Sequence, residues 1–270
     1  MSRPRAFRLL AGEALRDALR SRVGLGVLLL ALLLAMGADR CAGAGAGRFS
    51  WNGRVLAPEA AGAVLGPLLY VTLALALVAA AGLVASDALA RPLEEGSAAL
   101  WLARPVGRST YALARLCGAL LLAVGAAAPV LGFVTALLST RFGLAWQPGA
   151  AGFAVFLADA VVVSAVAMLV SLFVPRLLAL FGVFLWLQVV VFTNAMHVLG
   201  TIGGEGGARF VEGYGPPLGT ALLFAVAPWV GLELDPHDLV AAALRLAVWG
   251  AGSLVLLLLA FRQHELRSGP

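Results

Sequence analysis

Lysine is absent from this chain: all 19 of its basic residues, among 270, are arginines. A standard P-loop, G-x-x-x-x-G-K-[ST], sets a lysine on the phosphates. The sequence therefore carries no Walker A nucleotide site, and lysine Schiff-base chemistry is excluded with it. Any use of ATP falls to another chain. Cysteine is scarce, Cys41 and Cys117 only, too few for a disulfide framework. The two are expected at opposite ends of a membrane, so no bridge is expected. The histidines, His197, His237 and His264, lie far apart without ligand spacing, so no metal site is expected, at Met196-His197 included. Neither H-E-x-x-H nor G-x-S-x-G occurs, and no catalytic residue is assigned.

Charge of either sign is also scarce, 12% of residues against ~25% in a soluble domain. Hydrophobic residues make up 61%, against ~45–50%. A soluble fold of this length cannot hide so many, nor cover its surface with so few charges. A soluble enzyme, a disordered chain and a disulfide-stapled module are excluded. The net charge of +5 is scattered between apolar runs, which fits orientation in a bilayer rather than nucleic acid.

Six apolar runs predict an all-α integral membrane protein with six transmembrane helices, at about 22–38, 62–86, 112–138, 151–174, 177–199 and 239–261. A shorter run at 217–232 contains Pro228 and is flanked by Pro216, Pro217 and Pro236. It reads as a re-entrant segment between spans five and six. The first run is not read as a signal peptide, because a patterned segment precedes it and no lipobox surrounds Cys41. The N-terminus, the second-to-third loop, Arg176 and the tail hold thirteen arginines, whereas Arg40, Arg48, Arg54, Arg141 and Arg209 face the other way. The positive-inside rule then puts both termini in the cytoplasm, which six spans satisfy and seven do not. The glycine-rich stretches 42–48 and 200–217 read as flexible external links.

Residues 4–21 read as an amphipathic interfacial helix. Phe7, Leu10, Ala11, Ala14, Leu15 and Ala18 fall on one face, with Arg5, Arg8, Glu13, Arg16, Asp17 and Arg20 opposite. The alternative is a solvated leader that only sets topology. The predicted cytoplasmic loop, 87–111, follows Asp87, which is read as closing the second span. Glu94 and Glu95 precede Gly96, a short helix is expected over Ser97 to Ala103, and Arg104-Pro105 ends it. A charged elbow bearing Leu100, Trp101 and Leu102 reads as a docking surface or as a plain loop packed under the bundle.

At this elbow the chain resembles the permease subunit of ABC type-2 exporters, the group of bacitracin-resistance, sodium-efflux and nitrous-oxide-reductase maturation permeases. The residues that carry the resemblance are Glu95-Gly96-Ser97, Leu100-Trp101-Leu102-Ala103, Pro105-Val106-Gly107-Arg108 and Tyr111, with the tail Phe261-Arg262-Gln263-His264-Glu265-Leu266. Where the family has a basic residue before the Leu-Gly of the third span, Arg115-Leu116-Cys117-Gly118 stands here. The resemblance implies a half-transporter in a bacterial-type cytoplasmic membrane. It pairs with a second copy or a homologous permease, and each docks a separate ATPase subunit that holds the ATP and magnesium. It implies that Glu94, Glu95, Gly96, Leu100, Trp101 and Arg104 face the ATPase as a coupling helix. Arg108 and Tyr111 would set the angle of the third span. No cofactor is expected on this chain and no nucleic-acid partner.

Buried charge within a span is costly, ~2.5–3.5 kcal/mol at mid-bilayer. Counted from the outer ends of their spans, Asp159 lies ~12 Å deep and Arg245 ~9 Å deep at ~1.5 Å per residue. The matched depths predict an ion pair, or a polar element lining a substrate path. Gln188, Thr193, Asn194 and His197 fall in the fifth span, where they line a dimer cavity or bond between helices. Two alternatives to an exporter stay open: a membrane subunit of an ABC-type machine doing assembly, maturation or motility work, and an ion-coupled secondary transporter. For the last, Asp87 and Asp159 are the only acidic candidates in or beside the spans.

Overall fold

The computed structural model describes residues 3–48, 50–51, 54–55, 58–98, 107–175, 178–179, 181–189, 215–231 and 236–263. Helix α1 spans Arg3–Arg20 and α2 spans Arg22–Arg48. Strands β1, Ser50–Trp51, and β2, Arg54–Val55, pair antiparallel as a two-residue hairpin. Helix α3 follows at Pro58–Glu94, α4 at Arg108–Phe142 and α5 at Gln147–Ser171. Residues 181–189 are helical. Helix α6, Thr220–Val226, runs into a 3-10 turn at Ala227–Val230, and α7 spans Pro236–Gln263.

Four stretches are long and apolar enough to cross a membrane: Gly66–Glu94, Arg108–Phe142, Gln147–Ser171 and Val240–Gln263, with mean hydropathy from 2.0 to 2.5. The segments Phe7–Arg20 and Arg22–Gly37 are apolar enough only when taken together, and a 71° bend separates them. The chain is an all-α membrane-embedded protein. These stretches coincide with the second, third, fourth and sixth predicted runs. The fifth run is described only at 178–179 and 181–189, where Phe181, Phe184 and Leu185 are exposed. Outward leucines on α2 (Leu25, Leu29, Leu32, Leu33) and apolar side chains on α7 (Leu244, Val248, Leu256) are exposed too. Bare apolar helix faces of this extent belong in lipid or against another membrane helix.

The core is built from small residues, which let backbones approach without polar side chains. Helix α3 packs on α4 and α5 through Ala74, Ala81, Ala85, Ala126 and Ala160, all buried. A Cβ on Gly152 of α5 would stand 2.6 Å from the ring of Tyr70 on α3. The Tyr70 hydroxyl donates to the Gly149 carbonyl at 2.7 Å. At the same end of the bundle the Trp229 indole N–H donates to the Ala145 carbonyl at 2.6 Å and meets Tyr70 edge-on, centroids 5.5 Å apart. These contacts hold the 217–231 segment against the bundle. Its apolar helix, Thr220–Val230, rises only ~16 Å and is too short to cross a hydrocarbon core of ~30 Å.

Three sequence expectations are corrected. Residues 42–48 are helical and complete α2 rather than forming a flexible link. Each glycine costs ~1 kcal/mol relative to alanine, but the alanines between them add no such cost and a helix satisfies its own backbone. Asp87 does not close the second span: α3 continues to Glu94, with Pro92 inside its last turn. The stop comes at Gly96, whose φ of 72° is the left-handed C-terminal conformation that glycine alone adopts without strain. The predicted 87–111 loop is therefore helical at 87–94, at 97–98 where the expected short helix begins, and again at 108–111, with 99–106 outside the described residues.

Candidate functional site

The end of the bundle opposite Tyr70 and Trp229 gathers most of the described charge. Three elements meet there: α1, the last turns of α3 and the first turns of α4. Helix α1 is amphipathic as its spacing predicts. Leu10, Ala11, Ala14 and Ala18 are buried, while Arg8, Arg16 and Arg20 are exposed. Its apolar face lies on α4 at close range: a Cβ on Gly118 would meet Ala14 Cβ at 2.5 Å and the Leu15 amide nitrogen at 2.9 Å.

Across this seam Arg115 Nη1 of α4 bonds Asp17 Oδ2 of α1 at 2.7 Å. The Arg115 side chain is only 5% exposed and Asp17 is 62% exposed, so one end of the pair is dry and the other wet. Arg115 Nε also donates to the Tyr111 hydroxyl at 3.2 Å, and the guanidinium carbon lies 5.3 Å from the centre of that ring. Tyr111 is fully buried and stacks on Phe261 of α7, centroids 6.1 Å apart. Arg108 Nη1 donates to the Arg262 carbonyl at 3.1 Å. One continuous chain of contacts thus ties the N-terminal helix, the start of α4 and the end of α7.

The acidic turn stands beside it. Glu94, Glu95 and Gly96 are exposed at the end of α3. Glu95 Oε1 accepts from Arg91 Nε at 2.8 Å, with both side chains about half exposed. A cleft of about 490 Å³ lies between the three elements, lined among others by Arg16, Asp17, Ser21, Asp87, Glu95 and Arg115. Asp87, one of the lining residues, is buried. Among the described residues no group of three or more His, Cys, Asp or Glu is placed to hold a metal.

The sequence-predicted site residues divide as follows. Glu94, Glu95, Gly96, Arg108 and Tyr111 come together at this end. Leu100, Trp101 and Arg104 lie outside the described residues, as do Thr193, Asn194 and His197. Gln188 is exposed on the 181–189 helix. The residue that sequence reasoning underrated is Arg115, noted only as a basic residue near Leu116-Cys117-Gly118. Its position four residues after Tyr111, in an apolar run, was the available signal.

The expected Asp159–Arg245 pair does not form. Arg245 Nη2 donates to the Gly215 carbonyl at 2.8 Å. Asp159 is fully buried and, among the described residues, neither carboxylate oxygen has a hydrogen-bond partner. Gly152, Phe156, Asp159 and Val163 share one face of α5 by their spacing. Gly152 abuts Tyr70, and a Cβ on Gly82 of α3 would meet Val163 Cγ1 at 2.9 Å. Asp159 therefore sits on the face that packs on α3, opposite the wholly apolar stretch 73–81. No family model matches the chain, and neither does any curated protein.

Proposed function

We propose that the chain is the permease subunit of an ABC exporter, forming a substrate path as a dimer and driven by a separate ATPase subunit docked on the 87–111 segment. The observation that carries this reading is the exposed acidic turn beside a bonded joint of α1, α4 and α7. The exposed Glu94-Glu95-Gly96 turn sits on the same charged end as the Asp17–Arg115–Tyr111–Phe261 contacts. The start of α4, which follows the turn in the chain, is bonded to α1 and stacked on α7, so a movement passed to α4 reaches both. Without lysine the chain carries no standard Walker A site, which suits a reading in which a partner hydrolyses the nucleotide. The exposed apolar faces of α2 and residues 181–189 suit a second copy in the membrane. In this reading the chain crosses the inner membrane six times with both termini cytoplasmic, the 217–232 segment is re-entrant, and the chain itself is no enzyme. Assembly, maturation or motility work by a complex of the same architecture uses the same elbow.

The test is charge reversal at the turn. Affinity-tagged full chain, purified from its native membranes, brings a P-loop ATPase with it in equal amount. Glu94→Arg together with Glu95→Arg depletes that partner several-fold while the chain still inserts. Unchanged recovery of an ATPase after the reversal, or its absence from the wild-type preparation, removes the reading. A second reading, the ion-coupled secondary transporter, draws on Asp159, since a buried carboxylate without a partner needs a proton or a cation. That reading requires flux that follows an ion gradient without ATP and is lost in Asp159→Asn.

A further inference from the structure

The charged cleft has a second, more basic compartment at the α1–α2 elbow. Arg20 and Arg22 flank Ser21, and Arg91 faces them from α3 with Asp87 one turn earlier. With Val23 they enclose about 410 Å³. Arg91 bonds Glu95, so three guanidinium groups meet two carboxylates and one positive charge is left over. Arg20 and Arg22 are exposed and make no ion pair with any described carboxylate.

The elbow is rigidly built. The Ser21 hydroxyl donates to the Ala18 carbonyl and accepts from the Gly24 amide, both at 2.8 Å. A Cβ on Gly24 would run into the Ala18 carbonyl oxygen, so glycine is required for the 71° bend. Apolar exposure begins immediately beyond it. Leu25 and Leu29 on α2 are 57% and 58% exposed, and Leu19 on α1 is 39% exposed. Arginines at the border of a bare leucine face stand at the level of lipid phosphates.

We propose that this compartment binds the phosphate of an anionic phospholipid, a phosphodiester of single negative charge, between Arg20, Arg22 and Arg91, with its acyl chains along Leu25 and Leu29. The left-over charge matches one phosphodiester, and the adjoining leucines select a lipid over free phosphate. The inference rests on the chain being membrane-embedded and is independent of the ATPase reading.

The experiment titrates fluorescent phosphatidylglycerol into the full chain held in phosphatidylcholine nanodiscs. Each arginine near an anionic phosphate is worth about five-fold in binding, the equivalent of ~1 kcal/mol. Arg20→Gln with Arg22→Gln therefore weakens binding by about twenty-five-fold. Arg3→Gln with Arg5→Gln, at the far end of α1, retains it, and so does Arg20→Lys with Arg22→Lys to within a few-fold. Inorganic phosphate does not compete. Equal losses in the two glutamine pairs, undiminished binding in the first, or full competition by inorganic phosphate overturns the site. Should the first pair fail to fold, wild-type protein photolabelled with a headgroup-diazirine phosphatidylglycerol decides. Adducts on peptides bearing residues 20–22 or 87–91 support the site, and adducts only elsewhere overturn it.

Discussion

Arg115 and Asp159 are both buried ionisable side chains, and the molecule treats them in opposite ways. Arg115 spans a seam between two helices and reaches a carboxylate that stays wet at 62% exposure. It also has a phenol to donate to and a ring beneath it. Asp159 sits mid-helix against an apolar neighbour and has no hydrogen-bond partner among the described residues for either oxygen. The first arrangement holds elements together. The second costs stability and is retained only where a site needs it. The charged end of the bundle is thus built as a joint, and the interior carboxyl stands apart from it.

The comparison breaks most visibly at the joint. Removing one partner of a buried pair leaves the other uncompensated. Asp17→Ala is expected to destabilise the protein in detergent by about 2 kcal/mol, less than for a fully dry pair because water reaches the aspartate. Arg115→Met, which removes the buried charge itself, costs less. Melting curves that rank the two in the opposite order would show that Arg115 serves by its packing and not by its charge.

Gly118→Ala probes the same seam sterically. The added methyl meets Ala14 Cβ at 2.5 Å and backbone of α1, and overpacking of this kind costs ~1–3 kcal/mol. Protease accessibility of α1 reads the outcome, with earlier cleavage expected in the variant. Asp159→Leu moves stability the other way. Replacing an unsatisfied buried polar group by an apolar one of similar size is neutral or stabilising by about 1 kcal/mol, so the melting temperature holds or rises. A clear fall would reveal a partner for the carboxyl. The smallest effect belongs to Glu95→Gln. It breaks an exposed i,i+4 pair with Arg91 and changes stability by at most ~0.5 kcal/mol, so any large loss of function in that variant reports a contact with another molecule.

Much of this was legible from the residues alone. The three-turn spacing of Phe7 to Ala18 marked α1, and uninterrupted apolar runs marked α3, α4, α5 and α7, because a hydrophobic period and a span length are local properties. The joint was not legible. Asp17 and Arg115 are 98 positions apart, and their meeting depends on how α1 lies across α4. Matched depth suggested pairing Asp159 with Arg245, but depth along a helix does not say which way a side chain faces. The spacing from Gly152 to Val163 turns Asp159 toward α3, whereas Arg245 reaches Gly215. Asp87 looked like a helix end because charge commonly marks one, yet the backbone stopped only where Gly96 permitted a positive φ.

The central claim is that the exposed turn after α3 is gripped by a nucleotide-hydrolysing partner. A photoactivatable amino acid at position 95 of the full chain, irradiated in native membranes, tests it most directly. The account predicts a dominant adduct with a lysine-containing P-loop ATPase, lost when the same group is placed at the outward Leu29. Adducts confined to lipid or to the chain itself, in membranes where the protein is active, would contradict it.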